Sequence, residues 1–239
     1  MKMEDLKTLD FLKLDDEQIL MLQKYMEFTL SENKMYNLTR NDTNDDFILK
    51  NILDSLLIAK KFDLSGKNVI DIGSGAGLPG IPLAIYYKNA KFTLLEPTLK
   101  RANFLAMVSD MLDLKNVKVA ASRAEDYIKE NNREKYDIVV SRAVSKLNIL
   151  LELSAPFLKV GGELIAYKGL NYLEEIEESK SAIKTLECSL ISSYEEIMPF
   201  LEETRYFVEI KKTKKTNPRY PRLYKDIKKR PLWLKRLSL

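Results

Sequence analysis

The chain has no histidine, one cysteine, one tryptophan and only eight glycines in 239 residues. Each scarcity closes off some chemistry. Without imidazole there is no Ser-His or Cys-His hydrolase, no histidine general base and no histidine-rich metal site. A lone Cys188 has no partner for an internal disulfide and cannot build a cysteine-based zinc site, so it reads as a small buried apolar side chain. No metal is expected. No apolar run approaches the ~18 residues of a membrane span, and the opening M-K-M-E-D-L-K-T-L-D lacks a signal-like apolar stretch. A soluble, cytoplasmic protein with no membrane contact is the expectation. Internal repeats and Gly/Ser linkers are also missing, while an apolar share of 45% supports a sizeable core.

Charge is present but uneven. The net value of +4 conceals a segment, residues 211–236, with twelve Lys/Arg and one acid, Asp226. The rest of the chain carries 27 basic and 34 acidic residues. An acidic body with a basic tail suits a polyanionic partner. The tail, residues 214–239, shows little helical or strand pattern and reads as an extended basic arm leaving the last strand.

Half of the glycines are concentrated in one place. In N-V-I-D-I-G-S-G-A-G-L-P-G (68–80), a β-branched run stops at Gly73, Gly75, Gly77 and Gly80 follow, and an apolar helical pattern resumes at Ile81. This predicts a strand, a tight turn and a helix start, with backbone N–H groups aimed at a ligand. Gly75-x-Gly77-x-x-Gly80 spells the dinucleotide fingerprint, which leaves an NAD-dependent oxidoreductase as one reading. Asp71, two residues before the first glycine, instead suits a ligand with a positive charge near the turn. Glu96 closes the next apolar run about 20 residues on, where a ribose-binding acid is expected. A ribose diol with a cationic amino-acid tail fits both acids, and S-adenosylmethionine is such a ligand.

Residues 1–65 read as helical. Asp15-Asp16 precede an apolar-periodic run from Ile19 to Leu30, and Leu49, Ile52, Leu53 and Leu56 follow the helical i, i+3, i+4, i+7 spacing after the N-D-T-N-D-D break. From Gly66 to about residue 213, strands alternate with helices. Strands are predicted at 68–72, 91–96, 117–122, 136–142, 163–167 and 206–211, with a weaker one at 190–194. Helices are predicted at 82–87, 98–112, 125–131, 147–158 and 173–186. Alternation argues for an α/β, Rossmann-like, doubly wound and mostly parallel sheet. Right-handed crossovers put the strand-to-helix loops on one sheet edge, where ligands bind.

The residues after each strand are therefore the candidates. The backbone from Gly73 to Leu78 would cradle the methionine part, and Glu96 would accept both ribose hydroxyls. Ala124 in S-R-A-E leaves room for a flat ring, with Glu125 able to bond an adenine edge. Arg142 in S-R-A would point into the pocket mouth and hold a carboxylate, a phosphate or a base edge. The chemistry must need no imidazole. Amino-methylation of DNA is disfavoured, because S-R-A-V (141–144) replaces an Asn/Asp-Pro-Pro-aromatic segment. Pyrimidine-carbon methylation needs a cysteine that Cys188 is too distant to supply. Guanine N7 carries a free lone pair, so its methylation needs alignment and charge support rather than proton removal. A non-catalytic RNA-binding protein keeping the fold is a third reading, since the tail alone would bind RNA in a salt-sensitive way.

Several stretches closely resemble the ribosomal RNA small subunit methyltransferase G family, also called glucose-inhibited division protein B. They are K-M-Y-N-L-T (34–39), I-L-D-S-L-L (52–57), D-I-G-S-G-A-G-L-P-G-I-P-L (71–83), F-T-L-L-E (92–96), K-R-A-N-F-L (100–105), S-R-A-E (122–125), V-S-R-A-V (140–144), L-I-A-Y-K-G (164–169) and Y-P-R (220–222). The likeness runs from about residue 20 to the end. It implies a class I S-adenosylmethionine-dependent methyltransferase fold with an N-terminal helical extension, acting on N7 of a guanine in small-subunit ribosomal RNA. It maps cofactor contacts onto Gly73, Leu78, Ala124, Glu125 and Arg142, with Arg142 also meeting the substrate. A monomer is expected. One departure is Asn51, where such relatives often carry histidine; asparagine can still donate and accept hydrogen bonds.

Overall fold

Seven strands set the frame, in the order β3-β2-β1-β4-β5-β7-β6. They are β1 (Asn68–Ile72), β2 (Lys91–Leu95), β3 (Val117–Ala120), β4 (Tyr136–Arg142), β5 (Leu158–Lys168), β6 (Cys188–Ile197) and β7 (Thr204–Lys212). The computed structural model describes residues 1–232. Strands β1 to β5 are parallel, and β7 enters antiparallel between β5 and β6. The central strands are buried on both faces, as their β-branched, nearly continuous apolar runs require.

One buried cluster covers one face of the sheet and joins α1 (Asp16–Tyr36) and the residues before β1 to α4 (Gly80–Tyr86) and α5 (Leu99–Met111). The other lies under α6 (Ala124–Tyr127), α7 (Leu147–Ser154), α8 (Tyr172–Thr185) and α9 (Tyr224–Lys229). α1 starts where the acids predict. Asp15 accepts from Gln18 N–H, and the Gln18 side chain accepts in return from Asp15 N–H, a reciprocal cap that satisfies two exposed donors. The second predicted helix runs from α2 (Asn44–Phe47) through a π-helical stretch (Ile48–Leu53), α3 (Asp54–Leu56) and a 3-10 turn (Leu57–Lys60). The first 65 residues share one apolar cluster with the sheet.

Several boundaries differ from expectation. α7 ends at Ser154 rather than 158, because Pro156 cannot continue a helix. β5 begins at Leu158, five residues early, after which its register on β4 shifts between Tyr136 and Ile138. β6 is a full ten-residue strand. The tail corrects the picture of an extended arm. Chain leaving β7 folds back over the α6–α7 face, with Tyr220 and Ile227 buried and α9 formed. Arg222 makes a two-oxygen ion pair with the fully buried Glu152 (2.6 and 2.7 Å), and the Tyr220 carbonyl accepts from Arg133. The last seven residues of the predicted tail, 233–239, lie outside the described residues. No helix among the described residues is long and apolar enough to cross a membrane.

Candidate functional site

The carboxyl ends of β1, β2 and β4 bring the predicted residues to one sheet edge. After β1 the chain turns through Gly73, Gly75 and Gly77, at φ of 74°, 55° and 95°. At Gly73, any Cβ would lie 2.6 Å from Val144 Cγ2, so the turn sits directly beneath the loop that follows β4. Gly73 N–H donates to Leu95 O (2.8 Å) and Gly75 N–H donates to Glu96 Oε2 (2.9 Å). The second Glu96 oxygen accepts from Thr98 N–H (2.8 Å). Glu96 is buried. It clamps the end of β2 to the glycine turn and retains a free lone pair on each oxygen.

Asp71 does something other than predicted. It is fully buried, and Oδ2 accepts from Gly80 N–H (3.0 Å), capping α4. Its Oδ1 has no hydrogen-bond partner. Burial pushes its carboxyl up to about 7, with the Gly80 N–H opposing. Asp71 therefore shapes the turn from below and does not face solvent. Leu78 is buried, and its N–H donates to Ser74 O (3.0 Å). From α1, Tyr25 braces the turn by donating its hydroxyl to Ala76 O (2.7 Å). Burial holds that phenol well above its usual range. Sequence reasoning passed over Tyr25, whose position in an apolar helical stripe gives no hint of its polar contact.

After β3, Ala124 and Glu125 open α6 and are both buried. Glu125 Oε1 accepts from Tyr224 N–H (3.1 Å), so the tail reaches the predicted adenine side of the site. Arg142, the last residue of β4, was expected to point into the pocket mouth; it lines a separate cleft of about 840 Å³, and its fork is turned inward. Its Nη1 donates to Asp54 Oδ2 (2.5 Å) and Lys50 O (2.9 Å), and Nη2 donates to Asn51 Oδ1 (3.1 Å). Arg205 Nε donates to the other Asp54 oxygen (2.8 Å). Asp54 thus pairs two guanidinium groups. Asn51, the departure noted in the sequence, is buried in this network and also meets Thr39 and Asn41. Lys168, tied to Glu175 (2.6 Å), and Tyr206 complete the cleft. Asp54 and Arg205 were missed; the I-L-D-S stretch was the only signal for the first, and nothing pointed to the second. Elsewhere, Cys188 is buried with its thiol pushed up to about 12 by burial, in keeping with an inert side chain. No group of three metal-ligating side chains occurs among the described residues.

The donor set suits a nucleoside with an amino-acid tail. Gly73 and Gly75, both partly exposed and at positive φ, form a backbone turn, and Glu96 offers acceptors from the adjacent strand end. Beside it lies a cleft lined by three cations, Arg142, Lys168 and Arg205, three acids, Asp54, Glu175 and Glu203, and the aromatic rings of Tyr167, Tyr206 and Phe207.

Comparison with known proteins follows the same lines. Residues 18–206 match the family model described as rRNA small subunit methyltransferase G. A protein named ribosomal RNA small subunit methyltransferase G from Fusobacterium nucleatum is 43% identical over 209 residues, covering 87% of this chain and 89% of that one. One of the same name from Caldanaerobacter subterraneus is 40% identical over 212 residues, covering 88% of each. Among solved structures, TYW2 of M. jannaschii in complex with AdoMet is similar at a TM-score of 0.54 and 18% identity, over 68% of this chain and 76% of that one. A SAM-dependent methyltransferase from Aquifex aeolicus is similar at a TM-score of 0.54 and 18% identity, over 74% and 97%. These two speak for the class I methyltransferase fold alone.

Proposed function

The chain belongs to the rRNA small subunit methyltransferase G family, and from that premise we propose that it transfers methyl from S-adenosylmethionine to N7 of a guanine in small-subunit ribosomal RNA, with the residues gathered at the β1–β4 edge dividing the work. It is an S-adenosylmethionine-dependent methyltransferase. The observation that carries the division of labour is the 2.9 Å bond from Gly75 N–H to Glu96. It joins the turn that would hold the amino-acid end to the carboxylate that would hold the ribose.

When bound, the cofactor supplies an electrophilic methyl group. Gly73, Gly75 and Leu78 would hold its amino-acid end through backbone, Glu96 would take the ribose hydroxyls, and Ala124 with Glu125 would border the adenine. A neutral guanine already carries, at N7, the lone pair that would accept such a methyl group. Positive charge passes to the purine, and no proton leaves. A chain lacking histidine suffices for this, because its task is alignment. Arg142, fixed by Asp54, Asn51 and the Lys50 carbonyl beside the cleft, is the group we assign to positioning the guanine. We further propose that the enzyme acts in the cytoplasm as a monomer; sedimentation at micromolar concentration checks the second point.

The test is methyl transfer from labelled cofactor to small-subunit particles and naked RNA, followed by cleavage at the labile 7-methylguanine position. Label at that position is expected. Label at any other atom, or none, overturns the reading.

A further inference from the structure

A second cleft, about 940 Å³, lies at the opposite end of the strands from the site just described. Six lysines line it, namely Lys88, Lys91, Lys115, Lys118, Lys135 and Lys159, against three acids, Glu17, Asp113 and Glu134. The strand register explains the row. Lys91 opens β2 opposite Asn68 of β1, Lys118 pairs with Thr93 from β3, Lys135 precedes β4, and Lys159 lies near the start of β5. Neighbouring strands are ~4.8 Å apart, so the row spans roughly 20 Å along the sheet edge.

Three of these lysines are exposed and have no carboxylate partner among the described residues: Lys91, Lys118 and Lys135. Lys118 lies over the Tyr127 ring, 5.8 Å from its centroid. The acids in the cleft are already engaged, Glu17 by Lys88, Asp113 by Lys115 and Glu134 by Lys212. The cleft therefore presents unspent positive charge.

The second observation is where the tail leaves the sheet. β7 is antiparallel to β5, so its end, Lys212, reaches the amino edge, and its Nζ donates to Leu158 O (2.9 Å). Lys215 follows and approaches Glu134 of the cleft at 4.0 Å. From there the chain passes Tyr220 at Arg133 and Arg222 at Glu152, and arrives at Glu125 beside the cofactor turn. A basic strap thus connects the two ends of the strands over the α6–α7 face.

We propose that the amino edge of the sheet is a second RNA-backbone surface, held by Lys91, Lys118 and Lys135 and reached along the C-terminal strap. It binds phosphates of the substrate RNA remote from the guanine that is methylated. The inference rests on the ribosomal-RNA substrate reading above. Phosphate neutralisation by lysine releases counterions, so each such contact steepens the salt dependence of binding.

The test compares the full chain with the variant K91Q/K118Q/K135Q and with K24Q/K180Q/K184Q, which removes equal charge from exposed lysines elsewhere. Binding of naked small-subunit RNA is measured by filter retention from 50 to 300 mM salt, alongside cofactor binding and turnover at saturating RNA. The first variant is expected to bind RNA at least tenfold more weakly and to lower the salt slope by about 2 to 3, with cofactor binding and saturated turnover unchanged. The control should move the slope little. An unchanged slope in the first variant, or an equal loss in the control, overturns the proposal. Normal binding of naked RNA with loss only on assembled particles would assign the surface to an acidic protein and also overturn it. Failure of methyl transfer by the unaltered chain would sink the preceding functional reading, while the salt slopes would still decide this one.

Discussion

The glycine turn after β1 and the cleft after β4 touch at Val144 yet are built from opposite materials. The turn is made of backbone. Its working groups are N–H donors, its two carboxylates, Asp71 and Glu96, accept from backbone N–H groups, and its conformation depends on glycines at positive φ. The cleft is made of long charged side chains. Asp54, Arg142 and Arg205 come from three distant parts of the chain and are held by one another. A backbone cradle recognises a ligand of constant shape with little entropy left to lose. A cluster of paired side chains can release a guanidinium donor to a substrate that arrives and departs.

That contrast can be broken in four places. The largest effect is expected at Asp54→Ala, which leaves two partly buried guanidinium groups without their shared carboxylate. Urea unfolding should show a loss of about 3 kcal/mol, with RNA turnover falling while cofactor affinity holds. An unchanged stability would mean that the network is incidental. Glu96→Gln comes next. It removes a charged acceptor from the turn, and calorimetry should show cofactor affinity falling about 10- to 100-fold with RNA affinity intact. Equal losses of both would erase the distinction between the two regions. Gly73→Ala forces a Cβ into left-handed backbone at a cost of about 1–2 kcal/mol and against Val144. Thermal unfolding should show part of that loss recovered in the double variant with Val144→Ala; no recovery would mean that the backbone alone sets the requirement.

The fourth effect is a slope, spread over several pH units. Burial raises the Asp71 carboxyl to about 7 in the folded chain, against its ordinary value of 3.8. Between those values the folded form keeps a proton that the unfolded form has lost. Stability therefore falls as pH rises from about 4 to about 7, by up to about 1.4 kcal/mol per pH unit. The chain has no histidine, the side chain that ordinarily changes charge in this range. Asp71→Asn should flatten denaturation midpoints across that range, and a retained slope would assign the titration to another group.

The same contrast explains what was legible beforehand. The turn was readable because its requirement is local: Gly73, Gly75 and Gly77 lie within five residues, and Glu96 sits one strand later. Five parallel strands were likewise visible as apolar runs between turn signals. The cleft was not, because Asp54 meets Arg142 and Arg205 across 88 and 151 positions, and no periodicity carries such a pairing. Arg142 was placed at the right strand end, but its inward-facing fork could not be foreseen without its partner. Asp71 was read as facing a ligand because a strand-end acid looks the same in one dimension whether it points at solvent or under the turn. The tail misled for a related reason. Its compact course depends on Glu152 and Arg133, neither of which its own composition reveals.

One hydroxyl ties the opening helix to the chemistry: Tyr25 reaches Ala76 while Phe28, a turn further on, stacks on Phe104 at 5.7 Å. The opening 65 residues are for that reason no detachable module. A shortened protein beginning at Gly66 would bare Leu83, Ile85 and Phe104, which are buried in the cluster shared with that helix, and would strip the glycine turn of its strut. Such a truncation should aggregate in the test tube rather than survive as a sluggish minimal enzyme.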